Sequence, residues 1–203
     1  MAPIQSTRPP VQPTRLYLAW VGANSLAWFV AFIPFGRIPF SRASVPQFEG
    51  WLLLLLGLVI GLAQWLVLRR HLPLGVWWVL LNSVAWAMAW FVSIFGTILI
   101  GLLLFPLTNL ISPILTSIVA NLLFSALTGS VLGGVQWATF YMHLERANWW
   151  IPATMGGTAA AGLVRLLTGD ALRAGFDASW LAYSLMTGVV LVWMLDDAHR
   201  RGW

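Results

Sequence analysis

The side chains that could do chemistry in this chain stand at repeated spacings. Four carboxamides and two imidazoles lie within or beside long apolar segments: Asn24, Gln64, Asn82, Gln136, His71 and His143. Carboxamides both donate and accept hydrogen bonds, so they can bind a small polar ligand or one another across helices. A histidine can ligate haem iron or a chlorophyll magnesium, and two at equivalent positions would suit a symmetric cofactor pair. These two groups are the candidate sites.

Both glutamines belong to a G-x-x-x-G-x-x-Q-W motif that occurs twice, 72 residues apart. A histidine and a Trp-Trp pair follow each copy at the same offsets; the copies comprise Gly57, Gly61, Gln64, Trp65, His71, Trp77 and Trp78, and Gly129, Gly133, Gln136, Trp137, His143, Trp149 and Trp150. On a helix, the glycines, the glutamine and the histidine share one face. Small residues four apart let two helices approach closely, and the glutamine is placed to hydrogen-bond across that contact.

The asparagines belong to a second repeated pattern, offset by 58 residues. Trp20, Asn24, Ser25, Ala27 and Trp28 align with Trp78, Asn82, Ser83, Ala85 and Trp86. The repeated unit is therefore a two-helix hairpin, and a degenerate third copy carries Trp150, Thr154, Ser184, Gly188 and Leu191. Asparagine and glutamine are replaced together in that copy. We therefore predict hydrogen-bonded pairs within units, Asn24 with Gln64 and Asn82 with Gln136, rather than Gln64 with Asn82.

The elements that carry these residues are predicted to be membrane helices. The chain has 203 residues, of which 60% are hydrophobic and only 8% charged, whereas a soluble domain carries about 25% charged residues. At about 20 residues per span, the apolar stretches predict an all-α membrane protein of six transmembrane helices, at about 16–35, 48–69, 76–95, 116–142, 149–168 and 178–195. The predicted organisation is a flexible cytoplasmic arm, one transmembrane domain with three tandem repeats, and a short cytoplasmic tail: 1–15, 16–195 (repeats about 16–70, 74–142 and 147–195) and 196–203.

The middle unit is longer than the first. Trp28 and Gly57 are 29 residues apart, whereas Trp86 and Gly129 are 43 apart, so 14 extra residues fall within 94–119. This segment is itself apolar. Either the middle helices extend, or a short segment lies in the membrane interface, and the residues leave both open. Proline at 106 and 113 is expected to bracket the connection.

The arginines predict the orientation in the membrane. All 11 basic residues are arginine. With both termini on one side, that side holds seven of them and the other side four: Arg8, Arg15, Arg69, Arg70, Arg146, Arg200 and Arg201, against Arg37, Arg42, Arg165 and Arg173. The positive-inside rule then places both termini in the cytoplasm of a bacterial inner or thylakoid-type membrane. Because the arginines lie at helix ends rather than in a cluster, nucleic acid is not an expected partner.

The sequence carries no arrangement typical of an enzyme. It has no cysteine, no Asp, Glu or Lys in a predicted membrane centre, and no carboxylate one helical turn from a buried serine. An enzyme, a proton-coupled carrier and a metal site are therefore not expected. The absence of a cofactor is the expectation, and haem or chlorophyll at His71 and His143 is the alternative.

The doubled motif also resembles a family. A G-x-x-x-G-x-x-Q-W helix with an Arg or His end and a Trp-led next helix is similar to a group of uncharacterised bacterial multi-span proteins, frequent in cyanobacteria and Chloroflexota-like genomes. The resemblance covers most of 16–195 and rests on Gly57, Gly61, Gln64, Trp65, Gly129, Gly133, Gln136 and Trp137. It implies a helical membrane bundle and brings no activity. The second copy departs from the first in having Tyr141-Met142 where the first has Arg69-Arg70.

Three functions follow as expectations. The first is a structural, assembly or small-ligand-binding membrane component, surrounded by lipid and in contact with a membrane-complex partner or a second copy. The alternative is a channel or transporter for a small uncharged solute, with the Asn and Gln side chains lining the path. The third is a pigment- or haem-binding subunit that uses His71 and His143.

Overall fold

All the secondary structure described for this protein is helical. The computed structural model describes residues 12–35, 50–168 and 178–201. Within them the helices are α1 (Pro13–Phe35), α2 (Gly50–Leu68), α3 (Trp77–Ile111), α4 (Pro113–Phe140), α5 (Trp150–Thr168) and α6 (Ala178–Arg200). A single 3₁₀ turn, Ala147–Trp149, leads into α5.

The helices form a closed ring in chain order. Each helix packs against the next one in the chain, and α6 packs back against α1. Within the described residues, α3, α4 and the segment Ser179–Arg200 are long and apolar enough to cross a membrane. A helix hydrogen-bonds its own backbone, so these apolar segments meet the requirement that lipid places on a spanning chain. The structure therefore agrees with the predicted all-helical membrane class.

Two clusters of buried side chains fill the ring, and tryptophans lie in both. One cluster contains Trp20, Trp78 and Trp150, with the rings of Trp20 and Trp150 edge to face at 5.8 Å. The other contains Trp28, Trp86 and Trp180, and Trp28 stacks on Trp180 at 3.6 Å. Buried aromatic rings of this size contribute much of the apolar contact in a bundle.

The third helix does not end at 95 and the fourth does not begin at 116, as predicted; of the two alternatives left open, the one in which the middle helices extend is found. α3 continues to Ile111 and α4 begins at Pro113, so Ser112 alone joins them. The 14 extra residues therefore lengthen both helices, and Pro106 lies inside α3 rather than at its end. Pro113 stands at the first helical position, where a missing N–H costs nothing. The segment is uncharged and mostly apolar, so helix is the conformation that satisfies its backbone in lipid.

Two other predicted boundaries also differ. α1 begins at Pro13, inside the predicted arm, and residues 1–11 lie outside the described part of the chain. α6 continues to Arg200, so most of the predicted tail is helical. Asp196 pairs with Arg200 at 2.8 Å and Asp197 with Arg201 at 3.1 Å. Such i,i+4 pairs support the last helical turn, which the apolar pattern used for prediction could not register.

Candidate functional site

The four repeated carboxamides come together in one buried layer. Their exposed fractions are 0% for Asn24, 1% for Gln64, 1% for Asn82 and 2% for Gln136. In α1, Asn24 stands four residues from Trp20 on one side and from Trp28 on the other. Because those tryptophans belong to different apolar clusters, the carboxamides lie between the two clusters. We call Asn24, Gln64, Asn82 and Gln136 the amide layer.

Both predicted hydrogen-bonded pairs are present. Gln64 Nε2 donates to Asn24 Oδ1 at 2.9 Å. Gln136 Nε2 donates to Asn82 Oδ1 at 2.6 Å. Each bond joins the two helices of one predicted hairpin, α1 with α2 and α3 with α4, so the prediction of pairing within units is confirmed.

The two pairs are also joined to each other, which the sequence analysis did not predict. Gln136 Nε2 donates a second, longer bond to Gln64 Oε1 at 3.3 Å. Gln136 Oε1 accepts from the indole Nε1 of Trp150 at 2.7 Å. Gln136 thus connects α2, α3 and α5 from its place on α4. The signal for Trp150 was available, because a tryptophan precedes each Asn or Thr of the pattern by four residues.

The remaining bonds of the layer tie side chains to backbone carbonyls. Asn24 Nδ2 donates to the carbonyl of Trp20 at 2.9 Å, and Asn82 Nδ2 donates to that of Trp78 at 2.8 Å. Thr154 takes the corresponding place on α5, within 3.0 Å of the carbonyl of Trp150. Its hydroxyl also lies 2.9 Å from the carbonyl of Gly129 on α4. Thr154, in the predicted third copy, therefore bonds across the contact between α4 and α5.

The motif glycines face a different helix from the one that the first glutamine reaches. A Cβ at Gly57 would lie 2.5 Å from Ser83 Cα, and one at Gly61 would lie 2.8 Å from Asn82 Cβ. These glycines hold α2 against α3, whereas Gln64 bonds to α1 and α4. The expectation that Gln64 bonds across its own glycine contact is therefore wrong. Three residues along a helix leave about 60° between Gly61 and Gln64, enough to point them at different neighbours.

The second motif and the third copy show the same direction of contact. A Cβ at Gly129 would lie 2.6 Å from Met155 Cα on α5, and one at Gly133 would lie 3.0 Å from Ile151 Cα. On α6, a Cβ at Gly188 would lie 3.1 Å from ring atoms of Tyr17 and Trp20 on α1. These small-residue surfaces thus pack α2 on α3, α4 on α5 and α6 on α1.

The motif tryptophans fasten each helix to the loop that follows it. Trp65 Nε1 donates to the carbonyl of Leu74 at 2.8 Å, and Trp137 Nε1 donates to Asn148 Oδ1 at 2.7 Å. We did not predict this role of the tryptophans from the sequence. The fixed distance from each tryptophan to its short loop was the available signal.

The two histidines lie away from the amide layer, in the turns after α2 and α4. The backbone N–H of His71 donates to the carbonyl of Leu68, and that of His143 donates to the carbonyl of Phe140, both at 2.8 Å. Partial burial, and then the neighbouring Arg70, hold the pKa of His71 below its ordinary value. Among the described residues, no three His, Cys, Asp or Glu side chains gather as a metal site. Cofactor binding by the histidines stays the alternative to the expected absence of a cofactor, and the absorption spectrum of the purified protein is its test.

One buried donor beside the amide layer has no acceptor among the described residues. Trp78 stands on α3 where Trp150 stands on α5, and its side chain is equally enclosed. The ring of Trp78 stacks on Phe140 at 5.1 Å, but its Nε1 makes no hydrogen bond. Gln64 Oε1, the counterpart of the atom that Trp150 reaches, accepts from Gln136 instead.

Comparison with known proteins gives no relative from which a role could be carried over to these residues. No protein-family model, no curated protein and no solved structure matches the chain. The class that the fold itself supports is a helical membrane protein with a buried amide layer.

Proposed function

We propose that the chain is a six-span membrane protein of three tandem hairpins, and that its role is structural, as a scaffold or assembly component of a membrane complex. Its place is a bacterial inner or thylakoid-type membrane, with both termini in the cytoplasm. The observation that carries the structural role is the amide layer, because its side chains bond to one another and to the helix backbones.

Helix lengths support six spans. α1 and α6 have 23 residues each, and α2 and α5 have 19 each. At 1.5 Å per residue these helices are about 28 to 34 Å long, which matches the roughly 30 Å hydrocarbon core of a bilayer. All four pack in the same ring as α3 and α4, which are apolar enough to cross a membrane.

Matching hydrogen bonds support the repeat. The carbonyl of Leu68 accepts from His71 and Leu72 after α2, and that of Phe140 accepts from His143 and Leu144 after α4. The small-residue contacts run from α2 to α3, from α4 to α5 and from α6 to α1. Three like units placed side by side in a closed ring would produce this order, with an axis along the membrane normal.

The bonding of the amide layer favours packing over ligand binding. All four carboxamide oxygens accept a bond, from Gln64, Gln136 or Trp150. A site that binds polar solutes needs groups that are free to receive them. Interhelical bonds of this kind stabilise membrane bundles by about 0.6 kcal/mol on average and by at most about 1.7 kcal/mol, so the layer sets helix register as much as it adds stability.

A double-mutant cycle tests the packing role. Asn82→Ala, Gln136→Ala and the double variant are purified in detergent without added ligand, and the free energy of unfolding is measured for each. We expect both single variants to be destabilised and the pair to show a coupling of about 0.6 to 1.7 kcal/mol.

The matched control is Asn82 with Ser130, whose hydroxyl bonds within α4 to the carbonyl of Ala126. The effects of substituting Asn82 and Ser130 on the free energy of unfolding should add, because the two residues share no hydrogen bond. If the effects of Asn82→Ala and Gln136→Ala on the free energy of unfolding add in the unliganded protein, the packing role is rejected. The amide layer then remains as a site for a ligand.

A second candidate function, passage of a small uncharged solute, has one observation in its favour. The unpaired Nε1 of buried Trp78 beside the amide layer is a donor that a solute oxygen could use. Shrinkage of proteoliposomes in urea or glycerol gradients tests this candidate. Solute entry that exceeds the rate in empty liposomes, and that Trp78→Phe slows, would favour it over the structural role.

A further inference from the structure

The hairpin formed by α3 and α4 is too long for a bilayer of ordinary thickness. α3 has 35 residues and α4 has 28, which correspond to about 52 and 42 Å. The hydrocarbon core of a typical bilayer is about 30 Å thick. Nevertheless, no charged residue occurs in the chain between His71 and His143. The part of each helix that exceeds the thickness of the hydrocarbon core is therefore uncharged, like the part that spans it.

The outward surface of the far half of the hairpin consists mainly of large aliphatic side chains, and the polar side chains of Asn109 and Ser117 are also exposed near the turn. Leu103 is 76% exposed and Leu110 84% exposed, and other leucines and isoleucines from Ile98 to Ile114 are exposed beside them. This surface continues an exposed apolar stripe along the near half of α3: Leu80, Val84, Met88, Phe91 and Phe95. All of α3 is one candidate membrane span, so this mostly apolar surface runs within that span as far as the turn at Ser112.

Small and hydroxyl residues lie on the inner side of the same hairpin. The hydroxyls of Ser93 and Thr128 are 2.8 Å apart, and those of Thr108 and Thr116 are 2.9 Å apart. Gly101 is buried between them. Surfaces that bind another membrane helix are rich in such residues. Because they are already used between α3 and α4, the outward leucines and isoleucines suit acyl chains better than a protein partner or a second copy.

The turn at Ser112 is built with internal partners for its polar groups. The N–H of Ser112 donates to the carbonyl of Thr108 at 2.9 Å. The N–H of Ile114 donates to Ser112 Oγ at 3.2 Å, and Ser117 Oγ donates to the carbonyl of Pro113 at 3.1 Å. Water would satisfy these groups at an aqueous loop, whereas hydrocarbon requires partners within the chain.

We propose that lipid acyl chains cover the α3–α4 hairpin as far as its turn at Ser112, so that the protein binds a hydrocarbon layer thicker than average. The bilayer thickens locally to keep the apolar surface out of water. A lipid environment with long acyl chains is then the preferred surrounding of this protein. The inference rests on the membrane embedding in the proposed function and adds an interaction surface to it.

Three single-cysteine variants of the naturally cysteine-free chain test the proposal in proteoliposomes. Leu110→Cys reports on the far end of the hairpin, Met88→Cys on the embedded part of α3, and Arg70→Cys on an aqueous loop. A charged maleimide is supplied on both sides of the membrane, so orientation does not affect the result. We expect Leu110→Cys and Met88→Cys to react at least about ten times more slowly than Arg70→Cys, because thiols react as thiolates in water.

Two failures are distinguishable. If Leu110→Cys reacts as fast as Arg70→Cys while Met88→Cys stays protected, the end of the hairpin lies in water and the inference is overturned with the embedding intact. If both react rapidly, the embedding itself fails. Lengthening the lipid chains from 14 to 20 carbons should slow any residual reaction at Leu110→Cys and leave Met88→Cys unchanged.

A fluorophore on Leu110→Cys separates lipid from protein as the covering partner. Quenching by lipids that carry a spin label on the acyl chain should exceed quenching by headgroup-labelled lipids. Efficient oxidation of Leu110→Cys to a disulfide-linked dimer, with little acyl-chain quenching, would overturn the proposal in favour of a second copy.

Discussion

Gln136 occupies the most connected position in the amide layer. Its amide nitrogen donates to Asn82 and Gln64, and its oxygen accepts from Trp150. Removing a partner from a buried group costs about 1 to 3 kcal/mol, because the group that is left behind stays desolvated. The cost of a substitution in the amide layer therefore depends on which buried atom it leaves without a hydrogen-bond partner.

Trp78 and Trp150 allow a direct comparison at the residue scale. Both contact Phe140 and both are fully enclosed, but only Trp150 has an acceptor for its Nε1 among the described residues. Trp150→Phe should destabilise the protein more than Trp78→Phe, by about 1 to 3 kcal/mol, because it leaves Gln136 Oε1 unpaired. Unfolding free energies of the two variants in the same detergent give the difference. Equal costs would mean that the Nε1 of Trp78 also has a partner, such as a bound solute.

At the scale of the helices, glycines make the close contacts between neighbours. Each glycine surface packs on the helix that follows it around the ring. α4 packs on α5 through Gly129 and Gly133, while Gly134 on the same helix has nothing within 4 Å of an added Cβ. Adjacent glycines of one helix therefore have different roles. Helix propensity alone would favour alanine at all of them by about 1 kcal/mol.

Substitution of these glycines separates packing from propensity. Gly134→Ala should leave stability unchanged or raise it by up to about 1 kcal/mol. Gly129→Ala should destabilise by about 1 to 3 kcal/mol, because the new Cβ would meet the carbonyl of Thr154 at 2.5 Å and Met155 Cα at 2.6 Å. Thermal unfolding of the two variants measures the difference. A stabilised Gly129→Ala protein would contradict the close α4–α5 contact.

Ring closure is the property of the whole molecule that brings distant residues together. Trp20 Nε1 donates to Thr187 Oγ1 at 3.1 Å across 167 residues of chain, and Trp180 stacks on Trp28. Near the end of α6, Arg201 pairs with Glu145 at 2.7 Å and Arg146 with Asp197 at 3.1 Å. These exposed ion pairs contribute at most about 1 kcal/mol each, so closure depends mainly on the buried aromatic contacts.

The proposed topology makes a prediction about sidedness. Cysteines that replace His71 and His143 should react with an impermeant reagent in inverted vesicles, and one that replaces Thr168 should react in intact cells. The physical reason is the excess of arginine on the side that holds both termini. Reaction of the first two only from outside would invert the orientation. Reaction of positions 71 and 143 from opposite sides would rule out the six-span arrangement.

The amide pairs could be predicted from the sequence, because each depends on a spacing within one hairpin. The paired loss of Asn and Gln in the third copy indicated which residues bond, and Asn24 with Gln64 and Asn82 with Gln136 are the pairs found. The bonds that join the pairs could not be predicted. Gln136 reaches Gln64 on α2 and Trp150 on α5 only because the helices close into a ring, and a spacing along the chain does not give an angle around a helix.

The sequence by itself determined the helical membrane class and the positions of the repeated polar groups. The class follows from the apolar composition, since lipid leaves an apolar chain little choice but helix. The positions follow from the repeated spacing of the motifs. Only the tertiary structure decided that the 14 extra residues lengthen α3 and α4, and that Trp180 packs beside Trp28 and Trp86 where the third copy has Thr158. The position of Trp180 depends on which surfaces meet across the ring, because side chains pack by shape and space rather than by order in the chain.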